Sequence, residues 1–379
     1  TEEIMGSEQR VSITYKNLVK DLKPGDTVLI DDGLIELCVE KIVDTEIHCK
    51  VVHGGPISNH KGVNVPGVHL TMPYVSQVDL DDVTFGCKLG FDFLAASFVR
   101  CKEDILELRK ILEEHDSHMQ IIAKIENMEG IHNLDEIIEV SDGIMVARGD
   151  MGVEIPFSEV PILQKRMIKK AVMAGKHVIT ATQMLESMIH NPRPTRAEAT
   201  DVANAIYDGT TGIMLSGESA AGQYPVEAVR TMAELAERTE RDIDYKSRMR
   251  RYEDECSNCD DITQSLSRAV CSIAMEIGAA AIMPVTLSGS TARQVSRYKP
   301  DCEIIGCAVK ARVCRQMNLY WGVTPLEIAE AENTDELFEI AVETALKKGY
   351  IKKGDKVVIT AGIPLGVSGK TNMIKVIEA

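Results

Sequence analysis

The chain has 379 residues, beyond the roughly 250–300 at which a single core stops growing, so two or three domains are expected. Hydrophobic residues make up 44% and charged residues 26%, a globular balance, and no apolar run approaches the roughly 20 residues that span a bilayer. A formal charge of −16 repels nucleic-acid phosphates and anionic membranes; a phosphorylated substrate must then be held by a few local cations or metal ions, and neither nucleic acid nor membrane is an expected partner.

Ten cysteines run from Cys38 to Cys314. One CxxC, Cys256 and Cys259, lacks a second pair or nearby histidine to complete a tetrahedral metal site. Reduced, mostly buried thiols without a signal-peptide pattern imply a cytoplasmic compartment.

From about residue 10 to residue 69 the chain has short β-type runs and no long helical period: Val11–Thr14, Thr27–Ile30, Leu34–Val39 and Glu46–Val52. Turn signals at Lys23-Pro24-Gly25-Asp26, Asp31-Asp32-Gly33 and Gly54-Gly55-Pro56 separate them, which fits a small antiparallel barrel or sandwich. We assign it residues 1–72.

From about 80 to 240, five buried strands each end in polar residues and lead into amphipathic helices: Phe91–Phe98, Gln120–Glu126, Gly143–Arg148, His177–Thr182 and Gly212–Ser216. Five chemically loaded strand ends in succession favour a (β/α)₈ barrel, whose C-terminal rim carries catalysis, over an open doubly wound sheet with one switch point. This barrel segment is assigned 73–248. After the acidic stretch Tyr252 to Asp261, the helix Ile262–Ile277 and strands near Ala281–Val285, Cys302–Val309, Val323–Ile328 and Lys356–Thr360 define an α/β domain over 249–379.

The chemistry gathers at strand ends. In Lys124-Ile125-Glu126, period-two alternation sends the cation and the carboxylate to one side and Ile125 to the other. A surface ion pair is the ordinary reading of such a triplet, but its place at a strand's C-terminal end reverses that preference. In Arg148-Gly149-Asp150-Met151-Gly152 the strand turns towards a helix expected to begin near Phe157. Gly149 lets a ligand approach the backbone and Asp150 offers oxygen to a hard cation, although Asp after Gly is also an ordinary turn or cap. With Glu126 on the neighbouring strand, Asp150 makes a two-carboxylate Mg²⁺ site. Thr180-Ala181-Thr182-Gln183 and Ser216-Gly217-Glu218-Ser219 supply hydroxyls and a carboxylate, with Thr182, Ser216 and Glu218 suited to a proton relay and Ser219 equally suited to an N-cap. In the last domain, Thr286-Leu287-Ser288-Gly289-Ser290-Thr291 precedes a helix with Arg293 and Arg297, a setting for a bound phosphate that a ligand-free capped helix would share. Gly366-Val367-Ser368-Gly369-Lys370-Thr371 is a second loop able to close over such a ligand.

Taken together, IIAKIENMEG, GIMVARGDMGVEIP, ATQMLESM, NPRPTRAEATDVANA and GIMLSGESAAGQYP strongly resemble the pyruvate kinase family, in the family's order. VLIDDGLIEL, HKGVNVPG and TLSGSTARQVSRYKP extend the likeness over essentially the whole chain. The resemblance implies phosphoryl transfer from phosphoenolpyruvate to ADP, giving pyruvate and ATP in glycolysis. It implies a TIM barrel with an inserted β-barrel lid and a C-terminal three-layer α/β domain. It makes Glu126 and Asp150 the ligands of Mg²⁺ or Mn²⁺, and Lys124 the transition-state lysine. Gly149, Asp150 and Thr182, with Lys124, become the phosphoenolpyruvate contacts, and Thr182, Ser216 and Glu218 the protonation set. Lys61 and Asp31 become nucleotide contacts of the lid, and Thr286, Ser288, Gly289, Ser290 and Thr291 hold the phosphate of a phosphosugar or nucleotide effector. A homotetramer is implied as well. The family's first three barrel strands, which carry its K⁺ and an arginine for the phosphate, do not precede Thr1, so we expect either a fragment that is inactive alone or an incomplete sequence, with K⁺ left open. The C-terminal loop lacks a second basic residue beyond Lys370, which leaves the effector open. Two rivals stand beside this reading: a Mg²⁺-dependent pyruvate-binding lyase or aldolase barrel, for which an ADP-covering lid has no use, and a non-catalytic phosphosugar sensor.

Overall fold

A computed structural model describes residues 1–255, 261–364 and 371–379, the side chains of 251–255 excepted. Cys256, Cys259 and Gly366–Lys370 of the second loop lie outside the described residues. The chain divides into two compact units, Thr1–Met167 with Thr180–Gln183, and Ile168–Ile179 with Met184–Ala379. No described helix is long and apolar enough to cross a membrane.

Unit 1 opens with a four-stranded antiparallel sheet: β1 (Thr27–Ile30), β2 (Ile35–Val43), β3 (Glu46–His53) and β4 (Val63–Asn64), in the order β3-β2-β1-β4. Alternation along β1 turns Val28 and Ile30 inward onto Leu18, Leu22, Ile35, Val39 and Val65. Asp31, Asp32 and Gly33 all take positive φ in the β1–β2 turn, a conformation that Asp tolerates and Gly favours. The run Val11–Thr14 is not a strand; Val11 is half-exposed and no neighbouring strand pairs with it.

The rest of unit 1 is parallel. β5 (Phe93–Ala96), β6 (Gln120–Ile125) and β7 (Gly143–Ala147) lie side by side with Phe93 opposite Gln120 and Ile122 opposite Gly143. β7 is buried throughout, as a parallel strand covered on both faces must be. Helix Lys102–Glu114 buries Ile105, Leu108, Ile111 and Leu112 from one stripe. Arg148–Glu154 is already helical, so the chain turns directly from β7 into a helix well before Phe157.

In unit 2 the expected strands appear as β8 (His177–Ala181), whose last residues belong to unit 1, and β9 (Gly212–Ile213), much shorter than its apolar run. Helix Arg196–Asp208 is started by a capping box between Thr195 and Glu198 and ended by Gly209 at φ 100°. The C-terminal sheet has the order β12 (Val323–Glu327), β11 (Glu303–Ala308), β10 (Ala281–Pro284), β13 (Lys356–Ala361) and β14 (Met373–Glu378). Only the β13–β14 pair is antiparallel. Alternation along the strands builds two cores. Ala281, Met283, Ile305, Cys307 and Ile359 face Leu337, Phe338, Ala341 and Ala345 of helix Thr334–Lys348. On the other face Ile282, Ile304 and Val358 meet Val270, Cys271 and Ala274 of helix Ile262–Ile277. This makes three layers.

Candidate active site

The Lys124 and Glu126 side chains do share a surface. Glu126 is 1% exposed, at the end of β6. Its Oε2 accepts the Phe98 N–H at 2.6 Å, and Lys124 Nζ lies 2.7 Å from Oε1 as an ion pair. The ammonium also donates to Ser97 Oγ at 2.8 Å. Phe98 sits at φ 53°, a conformation a bulky residue adopts only when its surroundings impose it, and the pose brings its N–H onto the carboxylate. Burial pushes the Glu126 carboxyl above its ordinary range; Lys124 and the Phe98 N–H pull against this, and the negative charge of Asp150 adds to it.

Oε1 of Glu126 is buried and has no directed hydrogen bond. A buried carboxylate whose Oε1 is met by one ammonium, with the negative charge of Asp150 close by, has lone pairs left for a divalent cation. Among the described residues no three His, Cys, Asp or Glu side chains gather into a metal cage. Mg²⁺ takes one or two protein carboxylates and leaves its other positions to water and substrate oxygens.

Gly149 and Asp150 lie in the first turn of helix Arg148–Glu154. Gly149 N–H donates to Thr182 Oγ1 at 2.7 Å, and that hydroxyl donates to the Ala181 carbonyl at 2.6 Å. Thr182 itself has φ 69° and Gln183 φ 54°, a second strained stretch. It is braced by Arg148, whose Nη2 donates to the Thr182 carbonyl at 2.6 Å and whose Nε reaches the Ala181 carbonyl at 3.3 Å. Ser97, Phe98 and Arg148 thus join the site without having been singled out. Ser97 and Phe98 follow β5 and act from the neighbouring strand, and Arg148 acts through backbone carbonyls, so no local spacing announces any of them.

Glu218 is fully buried and both of its oxygens are engaged, Oε1 by Leu185 N–H at 3.0 Å and Oε2 by Ser216 N–H at 2.8 Å. Ser216 Oγ is buried with no hydrogen-bond partner among the described residues. In the lid, Lys61 donates to Asp31 Oδ1 at 2.8 Å. In the C-terminal loop Thr286 Oγ1 accepts Gly289 N–H at 3.0 Å, and Thr291 and Thr371 share a hydroxyl pair at 3.0 Å. Gly289 has φ 84°, and a Cβ there would sit 2.9 Å from Tyr320 Oη, so only glycine fits.

Residues 1–229 match the family model "Pyruvate kinase, barrel domain", and 264–377 match "Pyruvate kinase, alpha/beta domain". The chain is 52% identical over 377 residues to a pyruvate kinase of Clostridium acetobutylicum, covering 99% of this chain and 79% of that protein. A pyruvate kinase of Geobacillus stearothermophilus is 50% identical, again over 99% of this chain but 64% of its own length. A crystal structure of a pyruvate kinase from Cryptosporidium parvum superposes with TM-score 0.90 at 37% identity, covering 96% of this chain and 74% of that one. On this sequence and fold, the chain belongs to the pyruvate kinase family of phosphotransferases.

Proposed function

We propose that the chain transfers the phosphoryl group of phosphoenolpyruvate to ADP, with Lys124, Glu126, Gly149, Asp150 and Thr182 around the reacting atoms. The observation that carries this reading is the ammonium of Lys124 held 2.7 Å from the buried Glu126 carboxylate, with the negative charge of Asp150 close by. Glu126 and Asp150 would hold Mg²⁺ or Mn²⁺, which when bound supplies positive charge to the phosphoryl oxygens. The enol P–O bond breaks as a bond forms to the β-phosphate oxygen of ADP, and Lys124, fixed by Ser97, neutralises the moving group. The enolate left behind takes a proton on carbon. Thr182, Ser216 and Glu218 are the relay, with Glu218 holding the Ser216 backbone and so aiming its free hydroxyl.

The domain division 1–72, 73–248 and 249–379, the lid contacts Lys61 and Asp31 with the nucleotide, and a phosphorylated effector at Thr286, Ser288, Gly289, Ser290 and Thr291 belong to the same proposal. So do K⁺ as a second cation, a homotetramer and a cytoplasmic location. A coupled assay for pyruvate release tests the central claim. In full-length protein, release from phosphoenolpyruvate that depends on both ADP and Mg²⁺ supports it; release without ADP, or effector binding with no turnover, would defeat it in favour of a lyase or a sensor.

A further inference from the structure

The strongest unassigned feature lies within unit 2, where Lys176, Arg293, Arg297 and Lys299 line one cleft together with Trp321 and no lining residue is acidic. In a chain of formal charge −16, four basic side chains meet here, and the carboxylate that borders them is Glu240, which engages Trp321 and Lys299. Glu240 is the acid whose field reaches Lys299, and Arg248 opposes it. Buried cations carry a desolvation cost that a neighbouring anion offsets.

We propose that this cleft binds a small tetrahedral oxyanion, either inorganic phosphate or the phosphate end of a small monoester. Arg297 is only 9% exposed and is held in place by donation from Nη1 to Gln294 Oε1 at 3.3 Å and from Nη2 to the Met173 carbonyl. Lys299, 1% exposed, is anchored on the Gly209 carbonyl with its ammonium 5.4 Å from the Trp321 ring centre. Arg293 differs: its Nε is buried with no hydrogen-bond partner, and no ion pair meets its guanidinium among the described residues. Two cations are therefore fixed by the fold while a third carries an unused donor, a preorganised fork of the kind that suits phosphate oxygens. One wall is rigid, since His177 and Tyr320 stack with ring centres 4.7 Å apart.

The cleft is far smaller than an ordinary ligand pocket and is partly open to solvent, so it takes an ion or a charged end and not the body of a nucleotide. The cleft uses the side chains of Arg293 and Arg297 beyond the effector loop, whereas the effector-loop proposal uses hydroxyls and backbone at Thr286–Thr291.

Trp321 is the chain's single tryptophan, so its fluorescence reports on this cleft. The full chain would be titrated with sodium phosphate and, in parallel, with glycerol phosphate, with sodium chloride holding ionic strength constant. A saturable emission change is expected, weakened about tenfold or more in Arg293→Gln, the size of one lost charge-assisted hydrogen bond. Ser288→Ala in the effector loop should leave it unchanged. Tighter binding of the monoester would assign the site to an organic phosphate, and equal or weaker binding to the free ion. Phosphorus NMR line broadening in the unaltered protein gives the same answer without relying on a variant's folding. The proposal is overturned if chloride reproduces the change, if no saturation or broadening occurs, if folded Arg293→Gln binds like the parent, or if Ser288→Ala abolishes the signal.

Discussion

Glu126 owes its chemistry to two neighbours that its own strand does not supply: the Phe98 N–H and the Lys124 ammonium, itself steadied by Ser97. Lys124→Met should lower turnover about a hundred- to a thousandfold while the protein stays folded, because it deletes positive charge aimed at a developing anion. Kinetics beside circular dichroism would check this. The raised carboxyl of Glu126 also has a stability consequence. A group that is harder to ionise when folded binds more protons in the native state, so its contribution is fully present below 4.5, the ordinary glutamate value, and is lost as pH rises through the elevated folded value. Lys299 runs the opposite way: burial holds its ammonium well below the ordinary 10.5, so its contribution is present above 10.5 and is lost as pH falls towards the folded value. Urea titrations of metal-free protein at stepped pH should therefore lose part of their acid-side slope in Glu126→Gln and part of their alkaline slope in Lys299→Met.

Secondary-structure elements show where local pattern suffices and where it does not. Lys124-Ile125-Glu126 announces its shared face by period two alone, and the five strands β5 to β9 show as apolar runs with polar tips. β9 shrinks to two residues, and β14 went unnoticed because its residues are half-exposed and interleaved with Lys375 and Glu378, so that pairing with β13 defines it. The helix at Arg148 begins on Gly149 and Asp150, residues that locally favour a turn; Arg148 bracing the carbonyls of 181 and 182 overrides them. The capping box of helix Arg196–Asp208 carries a further role. Glu198 accepts hydrogen bonds from the Thr195 N–H and hydroxyl and from the Ser187 N–H and hydroxyl. Glu198→Ala should cost about 2 kcal/mol, more than the roughly 1 kcal/mol of Thr195→Ala, because it strips two elements of partners instead of one; denaturant midpoints with unchanged slopes would show the difference.

For the molecule as a whole, composition and motif order gave away a globular α/β enzyme with a β-rich lid. What they hid is how each part is fastened. Arg100, for example, grips Asp104 through Nε and Nη2 and also reaches the Leu70 and Met72 carbonyls, tying segments 28 to 30 residues apart. Asp104→Ala would leave that arginine without its carboxylate and should destabilise unit 1 by about 3 kcal/mol, read from urea unfolding.

The two faces of the C-terminal sheet each bury a thiol, Cys307 on one and Cys271 on the other, and burial drives both away from the reactive thiolate form. Each is thus a natural clock for its own layer. Under native conditions an aromatic disulfide reagent should modify the half-buried Cys87 sooner than these two, which react only as fast as their layer opens. Comparing the two delays would tell whether the sheet separates from its helices one side at a time or lets go of both together.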